Sequence, residues 1–179
     1  IAETLRRMNG MWGLGLYDGP NRRLVLARDR VGKKPLYFAE VNGGLLFASE
    51  MKALYASGLI DLHQFDEEAI ADSLRVGTPL GPRTMFKQIK LLPPGHYAVW
   101  ENRQLKIHRY YIHPMERIEP EERPLDEVAD ELEALLEDAI RIRLIADVPV
   151  GLFLSGGVDS SLVAALTKHR LHRDVDAYC

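Results

Sequence analysis

The sequence predicts two domains of different class: an α+β domain of antiparallel strands over residues 1–112, and an α/β domain with a parallel sheet over residues 125–179. Three observations carry this. Short aliphatic and aromatic runs separated by Gly, Asn and Pro turns fill the first part, as expected of strands that pair with their neighbours. A segment punctuated by Pro114, Pro120 and Pro124, "HPMERIEPEERP", follows and reads as a solvated linker over residues 113–124. A long helical pattern, an apolar run, a glycine loop, another helix and a new alternating run then succeed one another, which is the order of a β-loop-α-β unit.

In order along the chain, "IAETLRRMNG" reads as a short amphipathic helix, and "MWGLGLYD", "RRLVLARD", "KPLYFAEV" and "GLLFASE" as strands. Asn42-Gly43 lies between two of these runs, and both residues tolerate positive φ, so a tight hairpin is expected there. Glu50–Gly58 and Asp66–Gly77 read as helices stopped by glycine, the second capped by the Asp66 carboxylate. "GHYAVW" and "LKIHRYY" form a further strand pair behind "LLPPG", whose prolines force an extended approach. The charged segment Arg28–Arg30 with Gly32–Lys34 reads as a charged turn between strands rather than an anion site. Trp12, Trp100, Tyr110 and Tyr111 are expected in strands, as sandwich core.

Beyond the linker, Val128, Leu132, Leu135, Leu136, Ala139, Ile140 and Leu144 recur at helical spacing and predict one buried face. Val148–Leu154 is a continuous apolar run, the pattern of a strand covered on both faces in a parallel sheet. "DSSLVAALTKHRL" is the next helix and "DVDAYC" the start of the next strand.

Composition narrows the function classes. A net charge of −3 gives no reason to expect nucleic acid or an anionic membrane as partner. No apolar run approaches the roughly 20 residues that span a bilayer, and no signal-peptide layout is visible. A single cysteine excludes an intrachain disulfide framework and fits a reducing, cytoplasmic setting. His169 and His172, at a helix C-terminus with no thiolate or carboxylate to complete a zinc set, read as surface histidines. Ile1 in place of Met and the unfinished run at Cys179 are expected of a piece of a longer protein.

The chemistry concentrates in "LSGGVDSS". In an open parallel sheet, ligands gather beyond the carboxyl ends of strands, where loops enter helix N-termini. Gly156 and Gly157 let backbone approach a ligand, the first-turn amides face an anion, and Ser155 and Ser160 add hydroxyls. Neither a Walker GxxxxGK[ST] nor a GxGxxG pattern is present. Asp159 at the mouth of an anion site would repel phosphate unless a divalent cation bridges the two, so it reads as a magnesium contact. The plainer alternative makes Asp159 a helix cap and the glycines a simple turn.

This loop resembles the SGGxDS pyrophosphate loop of the PP-loop ATP pyrophosphatases. With its surroundings, "RLIADVPVGLFLSGGVDSSLVAAL", it is similar to the synthetase domain of the glutamine-hydrolysing asparagine synthetases. "NGMWGLGLYD", "LARDRVGKKPLYF", "FASEMKAL" and "LPPGHYAVWENRQLKIHRYY" resemble, in order, parts of that family's class II glutaminase domain. The resemblance implies an N-terminal-nucleophile hydrolase αββα sandwich, present in part, followed by part of an α/β PP-loop domain. It implies an ATP- and Mg2+-dependent carbon–nitrogen ligase acting on aspartate with ammonia from glutamine, and a possible homodimer. Ser155, Gly156, Gly157, Asp159 and Ser160 would form the pyrophosphate loop, Asp159 near magnesium, with Leu154 beside the adenine nucleotide.

The chain also departs from that family. The glutaminase uses an N-terminal cysteine whose own amine is the base, whereas this sequence starts with Ile1 and its one cysteine is Cys179. No catalytic nucleophile is therefore assigned, and the 179 residues alone are expected to be inactive. Two other readings stay open: a related amidotransferase acting on another carboxylate, and a non-catalytic nucleotide-binding module.

Overall fold

The structure is a computed structural model that describes residues 1–116 and 119–179. Two linker residues, Arg117 and Ile118, lie outside the described residues. The chain divides into two compact units, Ile1–Ile118 and Glu119–Cys179.

In the first unit, helix α1 (Ala2–Arg7) precedes strands β1 (Gly13–Asp18), β2 (Arg23–Arg28), β3 (Tyr37–Val41) and β4 (Gly44–Ala48). Helices α2 (Met51–Tyr55) and α3 (Glu67–Val76) follow, then β5 (Lys90–Leu91), β6 (His96–Glu101) and β7 (Gln104–Arg109). Every pairing is antiparallel. One sheet has the order β1-β2-β6-β7, the other β4-β3-β5. The turns do what their residues allow: Asn42 and Gly43 sit at φ 51° and 71°, Asn102 and Arg103 at 51° and 59°. Asp66 caps α3 by accepting from the Ala69 amide at 3.1 Å, and Gly77 ends it at φ 82°.

Strand alternation sorts the apolar residues into layers. Leu24 and Leu26 of β2 with Ala98 of β6 face Leu36, Phe38 and Leu45, which makes the core between the two sheets. The opposite face of β2 and β6 carries Ala27 and Tyr97 against Leu5 of α1. The opposite face of β3 carries Tyr37, Ala39 and Val41 against Leu54 of α2. The layers run helix, sheet, sheet, helix. Gly15 belongs to this packing: a Cβ there would stand 2.6 Å from Cε2 of Phe47 on the facing sheet.

The segment between β2 and β3 is the charged turn that its composition suggests, but two of its charged side chains are buried. Asp29 is 1% exposed and accepts main-chain N–H groups from Trp12 (3.2 Å), Val31 (3.3 Å), Lys33 (2.9 Å) and Lys34 (3.0 Å). Arg28 is also buried and donates to the carbonyls of Lys34, Leu92 and Gly32. Charged side chains can be buried here because each meets several backbone partners. Trp12, Tyr110 and Tyr111 flank strands rather than occupying them, and pack in the α1 layer, where Trp12 stacks on Tyr110.

The second unit holds helix α4 (Leu125–Arg143), strand β8 (Gly151–Phe153), helix α5 (Val158–Ala165), a π-helical turn over Leu166–Arg170, and strand β9 (Asp176–Tyr178). β8 and β9 pair in parallel, as a β-loop-α-β unit requires. Two expectations fail here. The apolar run 148–154 is not covered on both faces: its strand is three residues long and Phe153 is 89% exposed. The α4 stripe is buried only at its carboxyl end, at Ile140, while Leu132 and Leu135 are exposed. A two-stranded sheet and one neighbouring helical turn supply too little surface to cover either.

Candidate functional site

The glycine loop begins where β8 ends. The Leu154 amide donates to the Tyr178 carbonyl at 2.7 Å, continuing the ladder one residue past the strand and holding Leu154 half-buried. The backbone then turns at Gly156, with φ +78°, a conformation that side chains with a Cβ adopt at a cost. A Cβ at Gly156 would meet nothing within 4 Å, so backbone rather than crowding calls for glycine, and the space in front of the loop is open. Gly157 is extended and precedes α5, and its carbonyl accepts the first intrahelical bond from Ser161 at 3.1 Å.

No side chain caps α5. The plainer alternative for Asp159, a helix cap, is therefore not what the fold contains; Asp159 sits in the first turn, exposed. The Ser155 and Ser160 hydroxyls meet at 3.1 Å, and Ser160 Oγ also donates to the Gly157 carbonyl at 3.2 Å. The loop thus presents two hydroxyls, uncapped helix-start amides and one carboxylate at the carboxyl end of a parallel strand. Uncapped amides with the positive end of the helix dipole favour an anion, and the glycine lets it approach the main chain.

All six sequence-chosen positions, Leu154 to Gly157 with Asp159 and Ser160, fall on this one strand-loop-helix. Asp159 stands alone as a metal donor: among the described residues no group of three His, Cys, Asp or Glu is placed to hold a cation. One carboxylate fits magnesium only in the arrangement where substrate phosphates and water complete the shell. His169 and His172 are exposed, with His172 at φ 51°. A depression of about 750 Å³ in the second unit lies elsewhere, between residues 144–150 and 172–176 at the amino ends of the two strands. Cys179 is free and exposed.

Sequence reasoning missed the buried Asp29 and a cluster of arginines around Tyr111, described below. The run Arg28-Asp29-Arg30 before Gly32 carried a signal for the former, since a carboxylate beside a glycine turn can gather successive amides. Nothing in the sequence signals the latter, which joins residues from four separated segments.

Residues 2–111 match the family model described as glutamine amidotransferase domain, and residues 131–179 match that described as asparagine synthase. A putative glutamine-hydrolyzing asparagine synthetase of Mycobacterium tuberculosis is 39% identical over 172 residues, which cover 92% of this chain and 26% of that protein. Asparagine synthetase 3 of Bacillus subtilis is 31% identical over 175 residues, 96% of this chain and 28% of that protein. An amidase of Gibberella zeae is 34% identical over 168 residues, 92% of this chain and 24% of that protein. The chain spans about a quarter of the length of these relatives. No helix among the described residues is long and apolar enough to cross a membrane. Residues 2–111, more than half of the chain, match one family model, and the chain belongs to the glutamine amidotransferase domain family.

Proposed function

We propose that a protein carrying this chain is an ATP-dependent amidotransferase that makes asparagine from aspartate, with ammonia released from glutamine. In this reading an aspartate side-chain oxygen attacks the α-phosphorus of ATP, and the bond to the β-phosphate bridge breaks, releasing pyrophosphate. Ammonia then attacks the acyl carbon and AMP leaves. The observation that carries the reading is the uncapped start of α5 behind Gly156, with Ser155 and Ser160 at its rim.

Each part of the loop has a role in that chemistry. The first-turn amides and the Ser155 and Ser160 hydroxyls would receive the charge that grows on the departing pyrophosphate, prepaid in geometry before the reaction begins. Gly156 would keep the main chain open to it. Leu154 would border the adenine side. Asp159 would hold Mg2+, which when bound neutralises phosphate charge. The order helix, sheet, sheet, helix in residues 1–116 supports an N-terminal-nucleophile hydrolase sandwich as the ammonia source. That chemistry needs an N-terminal cysteine. Cys179 lies exposed at the end of β9, in the second unit, and is not that nucleophile.

The kinship with an amidase of Gibberella zeae favours a second reading, in which the same adenylation serves another acid. ATP–pyrophosphate exchange, run on a protein carrying this chain at the length of its relatives, decides between them. Exchange that requires aspartate is the expected result. Exchange with other carboxylic acids but not aspartate supports the second reading, and absence of exchange with any acid overturns both.

A further inference from the structure

The first unit contains a cationic cleft that the glutaminase reading does not use. Arg30, Val31, Pro93, Pro94, His96, Arg109, Tyr111, His113 and Glu116 enclose about 370 Å³. A second hollow, of about 330 Å³, shares Arg109 and Tyr111 and adds Arg6. Three arginines from α1, the β2–β3 segment and β7 therefore gather around one tyrosine.

Their charges are unevenly met. Arg109 pairs with Glu116 and donates from Nε to the Tyr111 carbonyl at 3.0 Å. Arg6 donates from Nε to the Tyr110 carbonyl at 2.9 Å. Arg30 donates to the Arg6 carbonyl and lies over the Tyr111 ring at 5.3 Å, and its Nε is buried without a hydrogen-bond partner. Among the described residues neither Arg6 nor Arg30 forms an ion pair with a carboxylate. The neighbouring pair Arg28 and Asp29 cancels in charge. Over the two adjoining hollows together, three guanidinium groups stand against one carboxylate, Glu116, which pairs with Arg109.

The histidines add directed donors. Nδ1 of His96 lies 2.7 Å from the Pro94 carbonyl, so it carries the proton. Nδ1 of His113 accepts from the Met115 amide at 3.2 Å, which places the proton of the neutral ring on Nε2. Prolines and the tyrosine ring form a stiff apolar wall, and the volume suits a small ligand.

We propose that this cleft is a binding site for a multiply charged oxyanion of the phosphate class, held by Arg30 and Arg109 with His113 as a further donor. A carboxylate carries one charge and leaves the excess of guanidinium groups unmet, whereas a phosphate dianion matches it. Planar guanidinium forks also suit tetrahedral oxyanions, which they meet with two parallel bonds. The site is separate in sequence from the glycine loop, and it stands or falls independently of the adenylation reading.

The test is a titration of the 179-residue chain with inorganic phosphate, followed by amide nitrogen–proton NMR at constant ionic strength. Saturable shifts at Arg30, His96, Tyr111 and His113 are expected, with acetate at equal concentration producing much smaller ones. Arg30→Gln and Arg109→Gln should each weaken phosphate binding at these amides about tenfold or more, the loss of one charge-assisted contact. His113→Gln should weaken it less and serves where an arginine variant loses its dispersed spectrum. Shifts confined to Ser155–Ser161 would show phosphate at the glycine loop alone and overturn the proposal. So would equal response to acetate, or unchanged affinity in the folded variants.

Discussion

The Tyr110 hydroxyl donates to the Arg28 carbonyl at 2.8 Å, joining the end of β7 to the end of β2. Tyr110 is 3% exposed, and its ring also stacks on Trp12. One side chain thus ties α1's layer to the segment that crosses from one sheet to the other. Removing only the hydroxyl isolates that tie. Tyr110→Phe should cost about 1 kcal/mol in chemical denaturation while the fold, read by circular dichroism, is unchanged.

The same tyrosine predicts an alkaline limit. Burial first, and then the charge of Asp29, pushes the Tyr110 hydroxyl up to about 12. A free tyrosine ionises near 10, so between about 10 and 12 the unfolded chain has lost a proton that the native one keeps. Stability contributed by Tyr110 is whole below pH 10 and is lost as pH rises toward 12. Urea midpoints over pH 9–12 should fall more steeply for the native sequence than for Tyr110→Phe.

Asp29 predicts the acid side. Burial pushes its carboxyl up, but hydrogen bonds from the Lys34, Lys33, Trp12 and Val31 amides outweigh burial and hold it below the ordinary carboxylate value. A lowered carboxyl stabilises the fold above about pH 4, where the unfolded group is ionised, and loses that contribution as pH falls further. Asp29→Ala, which leaves four amides without an acceptor, should cost about 3 kcal/mol or more at pH 7. A cost below 1 kcal/mol would mean that water replaces the carboxylate there.

Gly15 tests the contact between the sheets. Gly15→Ala places a methyl 2.6 Å from Phe47 Cε2, and the strain should amount to about 1–3 kcal/mol. Pairing it with Phe47→Leu should recover part of the loss, which a double-mutant cycle measures.

Gly156→Ala separates folding from binding. An alanine there meets open space but must adopt φ +78°, so the expected stability loss is about 1 kcal/mol. ATP–pyrophosphate exchange should fall far more than stability does, since the methyl projects where the oxyanion would sit. Full retention of exchange would remove the loop from the reaction.

Local chemistry was legible in the sequence, and long-range partnership was not. Asn42-Gly43 made its hairpin and Asp66 with Gly77 framed α3, because each depends on residues within one turn. The glycine loop was legible for the same reason: strand end, φ-permissive glycine and helix start are consecutive. That β2 would pair with β6 instead of β3, its neighbour in sequence, was hidden, because the choice depends on which apolar faces meet. The burial of Asp29 within its turn was hidden because composition records charge and not the amides that converge on it. The α4 stripe was read as buried on periodicity alone, yet a face is covered only where another element supplies surface.

The parallel ladder of β8 and β9 has three paired residues on each side, and Phe153, Val158 and Tyr178 beside it are exposed. Amides of β2 and β6, sealed between two layers, should exchange with deuterium only through global opening, whereas those holding the glycine loop should exchange through small local excursions. The loop's geometry then rests on a short ladder with exposed flanks. Whatever covers Phe153, whether more polypeptide or a bound nucleotide, would raise the protection of Leu154 and Tyr178 before it altered anything in the other unit.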